Sequence, residues 1–168
     1  LFVDPTLLPA VEKLAPHLKS IRHFVVMGDS VPETSLTPVH AYEDLLKEAS
    51  PDYAWPHLNE NDAAAMCYTS GTTGHPKGVV YSHRAIYLHS FGLSMGDSFG
   101  LMESDTFMPV VLMFHVLAWS TPFVCTMLGA KVVFPGPHLQ PRDLAELIQA
   151  EKVTVTAGCV TQTRELSG

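Results

Sequence analysis

The stretch from Phe107 to Ala130 carries no Asp, Glu, Lys or Arg, and it is long enough for either a bilayer crossing or a fully buried core unit. Pro109, His115, Pro122 and Gly129 decide between the two. They divide the stretch into a strand-like FMPVVLM, a helix-like FHVLAWSTPFVCTML and a fresh strand AKVVF, which reads as a buried strand–helix–strand unit. A membrane-associated interaction protein using Phe107 to Ala130 is the competing class.

The rest of the chain repeats this alternation. After Asp4-Pro5-Thr6, the helical spacing of Leu7, Leu8, Val11, Leu14 and Leu18 predicts a helix, and His23 to Met27 predicts a short strand. Residues 28 to 40 read as a surface loop, followed by a brief helix over Tyr42 to Glu48. AAAMCY after Asp62 reads as a buried strand, and GVVYS as a second one before a helix that starts near His83. Later strands are expected at Phe107 to Leu112, Lys131 to Phe134 and Val153 to Thr156, with helices near 114 to 128 and 141 to 150. The class is α/β, a layered and mostly parallel sheet with flanking helices. No internal domain boundary stands out.

A formal net charge of −7 among 168 residues, with no cluster of Lys or Arg, opposes the basic field that nucleic acid requires. Cys67, Cys125 and Cys159 are odd in number and form no CxxC pair. That usage fits a reducing, cytoplasmic compartment, with peripheral membrane contact left open. Nine histidines invite a metal reading, but none stands in an HExxH, an HxH or a Cys/His pair at ligand spacing, so no metal ligand is assigned.

Chemistry concentrates in YTSGTTGHPKG, Tyr68 to Gly78. Glycines allow backbone N–H groups to turn toward an anion, hydroxyls add donors, and Lys77 supplies a point charge. From Ala63 to Gly96 the only formally charged side chains are Lys77 and Arg84, so an acidic chain holds a locally cationic window. A Walker loop needs Gly directly before its Lys and Ser or Thr after, whereas Pro76 and Gly78 flank Lys77; a dinucleotide GxGxxG is absent too. A polar, Gly-rich turn between two strands is the plain alternative. The ordered run through Pro76, Lys77 and Gly78 goes beyond what such a turn requires.

The segment resembles the signature loop of the adenylate-forming superfamily, which groups acyl-CoA ligases, luciferases and peptide-synthetase adenylation domains. GVVYSHRAIYLHS, Gly78 to Ser90, and the opening FVDPTLLP are similar to bacterial medium- and long-chain fatty acid–CoA ligases. The resemblance implies activation of a carboxylic acid, here a fatty acid, by ATP with Mg2+, and transfer of the acyl group from AMP to CoA. It implies that Thr69, Ser70, Gly71, Thr72, Thr73, Gly74 and Lys77 wrap the ATP phosphates.

MFHVLAW, Met113 to Trp119, resembles the second core motif of this branch, with Leu117 where Asn is usual. His115 and Trp119 stand four apart, on one face if the segment is helical. From the residues alone both are readily core side chains. The resemblance implies that His115 lies beside the acyl carboxylate as the catalytic residue and that Trp119 gates the acyl tunnel. VTVTAGCVTQT, Val153 to Thr163, resembles the strand and turn before the adenine and acyl pocket. Val160 stands where Pro is expected and Thr163 where an aromatic is expected, so only Gly158 and Thr161 carry over as substrate-binding residues.

The resemblance further implies that residues 1–168 are an incomplete piece of the large N-terminal AMP-binding domain, without the C-terminal domain. The Glu that holds Mg2+, the Asp that binds ribose and the C-terminal Lys of the family are not matched in this sequence, so the chain alone is expected to complete neither half-reaction. A non-catalytic nucleotide- or phosphate-binding module is the alternative function.

Overall fold

The computed structural model describes residues 1–69 and 74–158. The chain divides into two compact units, Leu1–Pro56 and His57–Gly168.

In the first unit, β1 (Phe2–Val3), β2 (Phe24–Val26) and β3 (Val39–Ala41) form a parallel sheet in the order β1-β2-β3. Asp4 starts the first helical segment, its carboxylate accepting from the Thr6 N–H at 2.9 Å and the Thr6 hydroxyl at 2.6 Å. A 3-10 turn, Pro5–Leu7, leads into α1 (Leu8–Leu14). Val3, Leu8, Phe24, Val26 and Leu36 close the core, and α2 (Tyr42–Glu48) follows β3. The helix over Tyr42 to Glu48 matches the expectation, and the strand at His23 to Met27 narrows to Phe24–Val26. Two strands were not foreseen. β3 enters the stretch read as a loop, and both β1 and β3 are too short to carry a periodic signal.

In the second unit, β4 (Ala63–Thr69) and β5 (Lys77–Ser82) form an antiparallel hairpin that continues directly into α3 (His83–Ser94). The buried strand expected from AAAMCY is corrected here. Only Cys67 of β4 is buried, while Met66 and Tyr68 are exposed, because among the described residues the ribbon has no third strand and no layer over both faces.

β6 (Thr106–Val110) is the centre of a parallel sheet ordered β7-β6-β8, with β7 at Lys131–Val132 and β8 at Val155–Gly158. It is covered on both sides, which explains its unbroken apolar run. Phe107 packs with Val124 and Cys125 of α4 (Thr121–Leu128), whereas Met108 and Val110 pack with Leu144 of α5 (Pro141–Glu151). Helices on both faces of a parallel sheet fulfil the α/β expectation. Pro109 sits in this central strand. The Phe107 carbonyl accepts from Val133 N–H on the β7 side, and alternation turns residue 109 the same way, beyond the point where β7 ends. Proline's missing N–H therefore breaks no ladder bond.

No helix among the described residues is long and apolar enough to cross a membrane. The uncharged stretch folds instead as most of β6, an irregular connection and α4, and β7 begins directly after it at Lys131.

Candidate functional site

The phosphate-loop candidate is the tip of the β4–β5 hairpin. Thr69 and Lys77 are its last paired residues, and the register runs back through Tyr68↔Gly78 and Cys67↔Val79. This pairing sets the first hydroxyl of the motif opposite its cation. Gly74 has φ +84°, left-handed backbone that L side chains avoid. At Gly78 the constraint is space, since a Cβ there would lie 2.9 Å from Met66 Sδ. Ser70, Gly71, Thr72 and Thr73 lie outside the described residues.

Lys77 is exposed and makes no ion pair among the described residues. Arg84, the other cation of this window, pairs with Glu60 at 2.8 Å. The start of α3 is tied down locally. Ser82 Oγ accepts from Ala85 N–H at 3.1 Å, and the carbonyls of Asp62 and Glu60 accept from His83 and Arg84 N–H. His83 and Arg84 thus open a helix whose early N–H groups are satisfied.

The His motif departs from expectation. A right-handed helix through His115 and Trp119 does not form. His115 has φ −94° and ψ 108°, and Val116 to Ser120 all hold left-handed backbone, with φ from 48° to 57°. The right-handed helix begins only at Thr121, with Pro122 in its first turn. Five left-handed residues, none of them Gly, Asn or Asp, cost about 1–2 kcal/mol each. Such strain persists where the surroundings over-determine it, and it gathers at functional sites. His115 is exposed, Trp119 is half-buried and Ala118 is fully buried. A small hollow of about 220 Å³ separates Val116, Leu117 and Ser120 from Tyr81, Ala85 and His89 of β5 and α3. The turn therefore lies beside the elements that follow the candidate phosphate loop.

β6 and β8 run parallel with Val110 opposite Gly158, so the chain leading to His115 and the chain leading to Thr161 leave the same, carboxyl end of the sheet. Ligands of open parallel sheets bind at that end. Thr161 itself lies outside the described residues. The sequence did not single out Thr121, although its position after a turn lacking Gly or Asn gave no signal by which to find it. Its hydroxyl donates to the Ala118 carbonyl at 2.7 Å in a fully buried setting.

Comparison with known proteins bears on this arrangement. A family model described as AMP-binding enzyme matches residues 2–166. The chain is 50% identical over 161 residues to a long-chain-fatty-acid–CoA ligase of Thermus thermophilus, covering 96% of this chain and 28% of that protein. It is 44% identical over 163 residues to a 3-methylmercaptopropionyl-CoA ligase of Ruegeria pomeroyi, covering 96% of this chain and 30% of that protein. The chain thus spans less than a third of the length of these relatives. Among solved structures, a long-chain-fatty-acid-CoA ligase from Archaeoglobus fulgidus superposes with a TM-score of 0.78 at 25% identity, over 99% of this chain and 31% of that one. On the extent of the family match and the identity to these relatives, the chain belongs to the AMP-binding enzyme family.

Proposed function

We propose that this chain is a segment of the large AMP-binding domain of a fatty acid–CoA ligase, which activates a carboxylic acid with ATP and transfers the acyl group to CoA. The carboxylate oxygen attacks the α-phosphorus of ATP, the bond to the bridging oxygen breaks, and pyrophosphate leaves with the electron pair. Lys77, the hydroxyls of Thr69, Ser70, Thr72 and Thr73, and the N–H groups that Gly71 and Gly74 leave free to turn stabilise that departing charge. The CoA sulfur then attacks the acyl carbon and AMP leaves. His115 meets the acyl carboxylate, Trp119 the acyl chain, and Gly158 and Thr161 contribute to the adenine and acyl pocket as substrate-binding residues.

One observation carries the reading: a cation without an ion-pair partner among the described residues, Lys77, stands opposite Thr69 at the mouth of a Gly- and hydroxyl-rich hairpin. The surrounding window holds no acidic side chain from Ala63 to Gly96, which suits a polyphosphate. Mg2+, when bound, spreads the phosphate charge. Among the described residues no group of three or more His, Cys, Asp or Glu is arranged to hold a metal ion, so none of its ligands is assigned here. A cytoplasmic enzyme in peripheral contact with a membrane, the source of its fatty acid, belongs to the same proposal. The buried free thiols of Cys67 and Cys125 suit a reducing compartment.

The test is carboxylate-dependent exchange of pyrophosphate into ATP by the full-length polypeptide that carries this segment, across fatty acids of graded length and 3-methylmercaptopropionate. Exchange that needs a fatty acid supports the reading. ATP binding without exchange for any acid would leave a non-catalytic nucleotide-binding module in its place.

A further inference from the structure

Val116, Leu117, Ala118, Trp119 and Ser120 form a left-handed run that their own backbone preferences oppose, so contacts around them must hold it. Two backbone bonds do part of this. Ala118 N–H donates to the His115 carbonyl, and Ser120 N–H to the Leu117 carbonyl, each at 3.0 Å. Among the described residues one side chain bonds into the run. Thr121, the first residue of α4, donates from Oγ1 to the Ala118 carbonyl at 2.7 Å.

Position and burial give that bond its weight. Thr121 stands where the backbone reverses from left- to right-handed, while Phe123 and Val124 N–H both donate to the Ser120 carbonyl and anchor the helix to the same point. Thr121 and Ala118 are both closed to solvent, so water cannot replace the hydroxyl. Thr126 offers a contrast on the same helix: its hydroxyl donates to Pro122, an exposed bond within the helix that constrains nothing outside it.

We propose that Thr121 is a positioning residue, whose buried hydroxyl latches the left-handed turn and thereby sets the direction of His115 at its start and Trp119 near its end. The role in acid activation rests on the reading of those two side chains as the ones that meet the carboxylic acid. A latch of this kind acts on one substrate and spares the other. Losing it displaces the acid-side residues, while the hairpin that carries Lys77 keeps its own register.

The experiment compares Thr121→Val with Thr121→Ser in the full-length polypeptide, reading pyrophosphate exchange together with amide hydrogen exchange over residues 114–121. For Thr121→Val the KM for the acid rises about tenfold or more, while the KM for ATP stays within about twofold. Thr121→Ser keeps both near wild type. Amide exchange of Ala118 and Ser120 quickens in the Val variant and not in the Ser variant. An unchanged acid KM in Thr121→Val, or acid and ATP KM rising together, overturns the proposal. Should Thr121→Val not accumulate as folded protein, Thr121→Ala takes its place against Thr121→Ser, and equal acid KM for that pair overturns it as well. Faster amide exchange in Thr121→Val alongside wild-type exchange activity in His115→Ala keeps the latch but removes the acid-side role of His115, so the two failures separate.

Discussion

Arg84 donates through Nη1 to Glu60 Oε1 at 2.8 Å, and this pairing leaves Lys77 as the cation of the hairpin without an ion-pair partner among the described residues. The two positive residues of this window thereby stand in different settings. One fastens the start of α3 and the other is paired in register with Thr69 at the end of the hairpin.

Lys77→Ala in the full-length polypeptide is expected to lower kcat for pyrophosphate exchange by about a hundredfold, in the range of losing one preorganised charge contact. Arg84→Ala should leave exchange within about twofold, because an exposed pair contributes at most about 1 kcal/mol. Equal losses in the two variants would contradict this assignment. Lys77→Arg should recover only part of the rate, since a planar guanidinium does not replace a compact ammonium.

Ser82 caps α3 at the point where β5 ends, its hydroxyl accepting from Ala85 N–H at 3.1 Å. Ser82→Ala should destabilise the fold by about 1 kcal/mol in urea unfolding, and Ser82→Asp should retain most of the wild-type stability. A neutral Ser82→Ala would mean that the carbonyls of Glu60 and Asp62 suffice to hold the helix start.

Val116 carries a β-branched side chain at φ 52°, and its side chain is exposed. Asn adopts left-handed backbone far more readily. Val116→Asn is therefore expected to raise unfolding stability by about 1 kcal/mol, measured at equilibrium in denaturant. A loss of stability would show that the turn is not under strain at that residue.

Glu12 ties α1 to the segment before β3. The Thr34 hydroxyl, and after it the Ser35 N–H, hold its carboxyl below the usual glutamate range. A folded pKa lowered in this way gives stability that is fully present above the unfolded value of about 4.5, and that is lost as pH falls through the folded value. The protection of the Ser35 amide, its exchange relative to the intrinsic rate at each pH, should fall as the solution is acidified across that window. Glu12→Gln should remove the pH dependence of that protection.

Sequence made some of this architecture legible and hid other parts for physical reasons. α2 occupies the expected residues, and the three strands of the β6 sheet fall near their expected positions, because long apolar or amphipathic runs carry a period. β1 and β3 have two and three residues and lack the Gly- and Pro-bounded run, AKVVF, that marks the comparably short β7. The left-handed turn left no trace, since residues such as Val116 and Trp119 advertise ordinary helix or strand rather than positive φ. At the candidate site, the order Thr69 to Lys77 was readable because an anion would need glycines, hydroxyls and a cation, residue types that a sequence shows directly. Thr121 was not, because its role lies in one hydrogen bond to a backbone carbonyl.

Pro109 has a further geometric effect. Having no N–H to offer on the β7 side, it lets the chain after Val133 diverge from β6, and a cleft of about 280 Å³ opens between Pro109, Leu112 and Met113 on one side and Phe134, Gly136 and Leu139 on the other. A strand forked by any other residue would strand a donor in that cleft. Here the sheet is split at the end leading to His115, and Pro109 leaves no orphaned amide behind.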